Sequence, residues 1–345
     1  MLEFKFQDYI LLEVESNGRT QYDNYFSNEY TRVEVANERS GAPKCVVRLE
    51  IVKEFPELPS NAIIRSEDFK NLFNYEFAIV GLDDDKTTIY FKSHPISNLY
   101  VTAIGVFIQA QVLEPILYYT FLQKNVLFMH CAGVSKNGLA YLFPAHGGTG
   151  KTTTCLALMG KGFDFMGDDL LLVDVDQKQV FPYPRPLHLF TYNVKNLHGA
   201  RLPVSLVSKI YFKNIIRLIL EKILKTDFLI STRAHADHLF SDFSLSKSAR
   251  LNSLTFLKKE GESKKISIQE NDDITEHARN IIESADLNES LYRFISKNEV
   301  LSTLKDKEIK LASAMLLSSN SFRYLNVRKI DLDEIEKHIG AHNES

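Results

Sequence analysis

The sequence predicts an α/β protein with a β-rich N-terminal domain, and three features predict it. Short runs alternating apolar and polar residues fill the first domain, and a glycine-rich turn sits between an apolar run and a helical stretch at residues 139–159. Strand-like and helix-like segments then alternate towards the C-terminus. The expected division is residues 1–96 as the β-rich domain, 97–124 as a connecting helix, 125–270 as the central core and 271–345 as a C-terminal α/β extension.

In the first domain, residues 46–52 (VVRLEIV), 77–82 (FAIVGL) and 87–91 (TTIYF) have a period of two. Asp83, Asp84 and Asp85 form a polar turn between the last two, which makes a hairpin. A metal site there is disfavoured, because adjacent carboxylates on a strand turn point different ways. Residues 97–122 read as helical. Gln109, Gln111, Glu114 and Pro115 interrupt the longest apolar region, so it is expected as a buried helix and not a membrane span.

The core opens with residues 125–134 (NVLFMHCAGV), an apolar strand with His130 in its middle. Residues 139–143 then suit a buried strand and 151–159 a helix, so the intervening turn delivers its amides to a helix N-terminus, where anions bind. The expected nucleotide-binding set is His146, Gly147, Gly148, Thr149, Gly150, Lys151, Thr152 and Thr153. Lys151 would reach the β- and γ-phosphates of a nucleotide and the Thr152 hydroxyl would hold Mg²⁺. The pattern G-x-x-x-x-G-K-[ST] is met except at its first glycine, which is Ala145 here; a positive φ at that alanine would cost about 1 kcal/mol. The plainer alternative is a glycine-rich turn in which Lys151 and Thr152 are incidental.

Gly162 ends the helix, residues 163–167 return to the sheet and residues 170–175 form the next strand, which puts Asp168 and Asp169 at a strand boundary. If that strand lies beside the one feeding the loop, a carboxylate there faces the γ-phosphate and its metal. Taken alone, the pair is as readily a solvated turn, and a lone histidine on an apolar strand is more often a core residue.

Together, His130, the loop ending Gly150-Lys151-Thr152, Gly162 and Asp168-Asp169 resemble the core of the HPr kinase/phosphorylase family over residues 125–175. The loop also resembles that of the fold-related ATP-dependent phosphoenolpyruvate carboxykinases. The resemblance implies a P-loop kinase core of that type and a kinase that uses ATP and Mg²⁺ to phosphorylate a serine hydroxyl. It implies Asp168 as proton acceptor, Thr152 and Asp169 at the metal, and Lys151 and His130 handling charge around the phosphates. Where the family carries a glutamate after the Asp pair, residues 182–190 (PYPRPLHLF) have none, and Arg185 and His188 are offered as anion-binding substitutes. The implied acceptor is a serine of a peptide or protein. A metabolite kinase, or a nucleotide-sensing module that no longer turns over, are the alternatives.

Downstream, residues 206–224 form a helix with Lys209, Lys213, Arg217 and Lys222 on an expected solvated face. Residues 231–240 (STRAHADHLF) gather Arg233, His235 and His238; the histidines would share a helical face, and Arg233 is a candidate for stabilising transition-state charge. Residues 251–257 and 321–327 read as strands, residues 272–299 as one or two helices and 331–339 as a closing helix. A net charge of −3 disfavours a nucleic-acid partner, and three scattered cysteines fit a reduced cytoplasm with no disulfide framework. A homo-oligomer is compatible with all of this.

Overall fold

A computed structural model describes residues 1–30, 43–69, 73–93, 101–189, 191, 194, 203–224, 232–235, 244–266, 273–284, 298–328 and 335–339. The protein is mixed α/β and divides into two compact units, Met1–Leu127 with Asp286–Glu308, and Phe128–Ala285 with Ile309–Ser345. The C-terminal third thus contributes to both.

In the first unit, β1 (Leu2–Phe6), β2 (Ile10–Glu15), α1 (Thr20–Glu29), β3 (Cys45–Val52), β4 (Ile63–Phe69), β5 (Phe73–Val80) and β6 (Lys86–Lys92) precede α2 (Val101–Phe107), a π-helical segment (Ile108–Leu113) and α3 (Glu114–Gln123). The strands form a sheet in the order β1-β2-β3-β6-β5-β4. β2, β3 and β6 run parallel, whereas β5 and β6 are the antiparallel hairpin expected around the acidic triplet. Strict alternation in β2 and β3 buries Ile10, Leu12, Val14, Val47, Leu49 and Ile51 on one face. Each such side chain contributes about 1.5–3 kcal/mol on burial. The helical stretch is buried as expected. Its polar residues are paired, with Tyr25 donating to Gln109 at 2.6 Å, Gln109 to Glu114 at 3.0 Å, and Tyr119 to Asp83. Residues 97–100 of the expected helix lie outside the described residues.

The second unit is built from β7 (Val126–Lys136), β8 (Leu139–Pro144), α4 (Lys151–Met159), β9 (Asp164–Gly167), β10 (Leu170–Asp174), β11 (Gln179–Pro182), β12 (Leu187–Leu189), α5 (Val204–Leu224), β13 (Thr232–Ala234), β14 (Ala249–Lys258), β15 (Lys264–Ile266), α6 (Asp273–Glu283), α7 (Asn298–Ser318), β16 (Ser321–Asn326) and α8 (Ile335–Ile339); α7 begins in the first unit. Its main sheet runs β11-β10-β7-β8-β14-β16-β15, with β9 on β7. β8, β14 and β16 are parallel. β11 also pairs with the start of β14, through Gln179–Arg250 and Val180–Ala249, so five strands close into a ring at one end. That end is remote from the glycine-rich loop, which follows the last residue of β8.

The condition attached to the Asp pair is not met. β10 does not lie beside β8, because β7 is inserted between them as the antiparallel partner of β8. The cause is local: Asn137-Gly138, with φ of 53° and 75°, makes a two-residue hairpin turn that folds β8 straight back on β7.

The apolar face of α4 and the sheet make the core of this unit. Cys155, Leu158 and Met159 pack with Tyr141, Phe143, Phe163, Phe165, Leu257 and Leu325. Two close approaches fix the turn that follows. Gly133 and Gly167 lie opposite each other on β7 and β9, and a Cβ on either would meet the Leu171 side chain at 2.5 or 2.8 Å.

Two further expectations change. On α5, Lys209 and Lys222 are exposed as expected, but Lys213 and Arg217 are partly covered, and Tyr211, Phe212, Ile215, Leu218 and Ile219 are exposed, so the solvated surface also carries an apolar patch. Thr232–Ala234 is a strand paired with β12, so helical spacing does not relate its residues; His238 lies outside the described residues. The strands expected at 251–257 and 321–327 are β14 and β16. Residues 285–297 and 331–334 of the other expected helices are outside the described set. Among the described residues, no helix is long and apolar enough to cross a membrane.

Candidate functional site

β8 ends at Pro144 and the chain turns through residues 145–150 into α4. Gly148 and Gly150 take φ of 69° and 109°, values that side chains rarely tolerate, and this curls the loop over the helix N-terminus. Ala145 is not among the positive-φ residues, so the substituted first glycine carries no backbone strain. Its carbonyl instead accepts from Lys151 Nζ at 2.8 Å. Thr149 is buried and donates to the His146 carbonyl at 2.8 Å, tying the loop to itself. Thr154 N–H makes a first helical bond to Gly150, and the amides of the turn before it belong to the groups an α-helix leaves without intrahelical partners. The helix end attracts anions for that reason.

The sequence-predicted side chains meet at this end of the sheet. Thr152 donates to Asp168 Oδ2 at 2.8 Å, joining the first helical turn to the turn between β9 and β10. The other oxygen of Asp168 has neither solvent contact nor a hydrogen-bond partner. Burial pushes this carboxyl up to about 7; the neighbouring Asp169 adds to the rise, while the Thr152 hydrogen bond and the Lys151 charge oppose it. Lys151 is 8 % exposed, and burial lowers its amine from the ordinary value against the pull of Asp169 and Asp168.

His130 completes the group. On β7 it faces the loop because the hairpin sets neighbouring Cys131 opposite Pro144. Its Nδ1 lies 3.2 Å from the Ser284 carbonyl, an oxygen that only accepts, so Nδ1 carries a proton. Nε2 is then 3.2 Å from Lys151 Nζ and 3.3 Å from Asp169 Oδ1. A neutral ring accepts from Lys151, and a doubly protonated ring donates to Asp169; one nitrogen cannot do both at once. Asp169 Oδ2 is held by Arg185.

Arg185 belongs to a rigid loop. Pro184 and Pro186 flank it, its N–H donates to the Tyr183 carbonyl at 2.8 Å, and buried Tyr183 packs edge-on against Phe128 with ring centroids 4.5 Å apart. Of the other anion-binding candidates, Arg233 sits opposite His188 in the β12–β13 pair. Its charge and that of Lys209 depress the amine of Lys213, which burial already lowers, so Arg233 stands in a basic neighbourhood of α5.

Two participants and one contact escaped the sequence reading. Ser284 contributes only a carbonyl at the end of α6, which no residue pattern announces. Lys259 follows β14 and its amine lies 3.8 Å from where a Cβ of Gly148 would stand. Arg185 was named for anions, but its bond to Asp169 was not foreseen. A signal existed for Lys259, since the C-terminal ends of parallel strands such as β14 gather ligand-binding groups, whereas β11, which leads to Arg185, is antiparallel to its partners.

Cys131 and Cys155 lie beside the site as buried thiols that burial raises far from thiolate range. Among the described residues, no group of three or more His, Cys, Asp and Glu side chains is arranged to hold a metal alone. No protein-family model matches the chain, and no curated protein matches it.

Proposed function

We propose that the protein is an ATP- and Mg²⁺-dependent phosphotransferase with a P-loop kinase core, acting on a hydroxyl and by preference on a serine of a peptide or protein. The observation that carries the reading is the Thr152–Asp168 bond at the mouth of the glycine-rich loop, with the second Asp168 oxygen buried and unpartnered. A buried polar atom without a partner costs about 1–3 kcal/mol, and an acceptor hydroxyl that displaced the groups now covering Asp168 Oδ1 would relieve that cost. The motif resemblance to HPr kinase/phosphorylase supports the same assignment.

In this reading the loop amides and Lys151 hold the phosphates of ATP, with Lys151 exchanging the Ala145 carbonyl for a phosphate oxygen. The acceptor oxygen forms a bond to the γ-phosphorus while the bond from that phosphorus to the β,γ-bridging oxygen breaks and ADP leaves. The hydroxyl proton passes to Asp168 Oδ1. Thr152 fits as a magnesium ligand, since its hydroxyl proton is committed to Asp168 and its lone pairs point elsewhere. Asp169 adds negative charge beside it. Magnesium keeps water and phosphate oxygens as most of its ligands, which suits a site with few protein donors, and it would neutralise charge building on the β- and γ-oxygens. His130 sets the position of Lys151.

Purified protein, γ-labelled ATP, Mg²⁺ and cell extract, resolved into protein, peptide and metabolite fractions, test the reading. Label on a peptide or protein serine, lost in Asp168→Asn, is the expected result. Label in metabolites alone moves the assignment to small-molecule chemistry. Tight ATP binding with no transfer to any fraction moves it to a sensor.

A further inference from the structure

We propose that Arg185 is a catalytic residue of this site, a guanidinium supplied by the same chain that moves from Asp169 onto the phosphoryl group during transfer. The proposal rests on the phosphotransferase reading.

Asp169 is the hub. One of its oxygens faces His130 and the other Arg185, and His130 in turn faces Lys151, so the groups form the continuous series Lys151–His130–Asp169–Arg185. Two cations therefore flank the Asp168–Asp169 turn, Lys151 from the helix side and Arg185 from the loop after β11. Arg185 holds one oxygen of Asp169, and the other lies against His130 Nε2, which donates to it only when the ring is doubly protonated and then no longer accepts from Lys151. The evident work of Asp169 is to hold a histidine and an arginine. Arg185 is 17 % exposed, its backbone is flanked by two prolines and its N–H is tied to Tyr183, and its head is held near the turn by Asp169. A guanidinium offers several donors in one plane, so it can keep one bond to Asp169 and give others to an equatorial phosphoryl oxygen. Arginines brought to a transferring phosphoryl group raise turnover by about 10³–10⁵. One magnesium ion would then suffice, with Arg185 supplying the charge that a second cation could provide.

The test uses the full-length protein with Arg185→Met, Arg185→Lys and the double variant Arg185→Met/Asp169→Asn, which leaves no unpaired carboxylate. Binding of Mg·ADP is measured by calorimetry with and without aluminium fluoride, a mimic of the phosphoryl group in flight. The wild type should bind ADP more tightly when the fluoride is present. Arg185→Met should keep Mg·ADP affinity within about threefold, lose most of that enhancement, and show kcat reduced by about 10³ with little change in the KM for ATP, and the double variant should lose the enhancement as well. Arg185→Lys should recover part of both. Equal loss of plain Mg·ADP binding in Arg185→Met would make Arg185 a structural anchor and overturn the proposal, as would an undiminished fluoride enhancement. Failure of the wild type to bind Mg·ADP at all would instead remove the phosphotransferase reading on which the proposal depends.

Discussion

Asp168 has two properties that can be separated by experiment. If it is the proton acceptor proposed above, its change to Asn should lower the transfer rate by about 10²–10⁴ and leave nucleotide affinity nearly unchanged, which a paired turnover and binding measurement checks. As a buried carboxyl, it also shapes stability. Its folded-state value near 7 lies above the ordinary 3.8, so between those values the unfolded chain releases a proton that the folded one keeps. The relative stability present in acid is lost as pH rises from about 4 through 7, by on the order of 4 kcal/mol if the whole shift is expressed. Asp168→Asn should therefore raise the denaturation midpoint at pH 8 in chelator and do little at pH 4. Thr152→Ala would release Asp168 Oδ2 and remove the proposed magnesium ligand. Its expected signature is weaker Mg·ATP binding with magnesium-free ADP binding retained.

At the scale of elements, strands and helices were readable where their period was local. β3, β6, β8, α4, β14 and β16 appear within a few residues of their expected positions, since alternation and glycine placement act between neighbours in the chain. What the pattern did not carry was which strand lies beside which. The β7–β8 hairpin displaced β10 from the neighbourhood of β8, although Asn137-Gly138 is a turn signal that could have been noticed. The site was legible in the same measure. His130, Lys151, Thr152 and Asp168 were found from spacing and resemblance, whereas the link between Asp169 and Arg185, and the carbonyl of Ser284, depend on contacts across chain separations that leave no local trace. The exposed apolar side of α5 was missed because periodicity reveals two faces without saying which one packs. Packing between β7 and β9 gives a prediction of its own. Gly133→Ala would drive a methyl group into Leu171, and overpacking of this kind costs about 1–3 kcal/mol. Urea denaturation should show the loss, and activity should fall with it because the displaced strands carry His130 and the Asp pair.

At the scale of the whole chain, the first unit is discontinuous. It takes in Asp286–Glu308, and buried Glu308 accepts a hydrogen bond from Tyr118 on α3. A fragment ending at residue 127 would leave the Tyr118 hydroxyl without that acceptor and part of its core uncovered. It should unfold at a lower urea concentration than the same unit in the full chain, and a peptide covering residues 286–318 added in trans should restore part of the difference. An unchanged midpoint for the fragment would show that the returning segment adds little.

The partial ring in the second unit bears on how its site can breathe. The β11–β14 pairing lies among the first residues of β14 and so towards the start of β8, while the loop, His130 and the Asp pair gather at the far ends of their strands. Such a scaffold is tied like a drawstring bag at its base and open at its mouth, so the mouth can widen to admit or release a molecule while the base stays knotted. Deuterium uptake should record this as a gradient along single strands. Amides near Val180 and Arg250 should exchange only when the whole unit unfolds, and those approaching the glycine-rich loop should exchange through smaller openings.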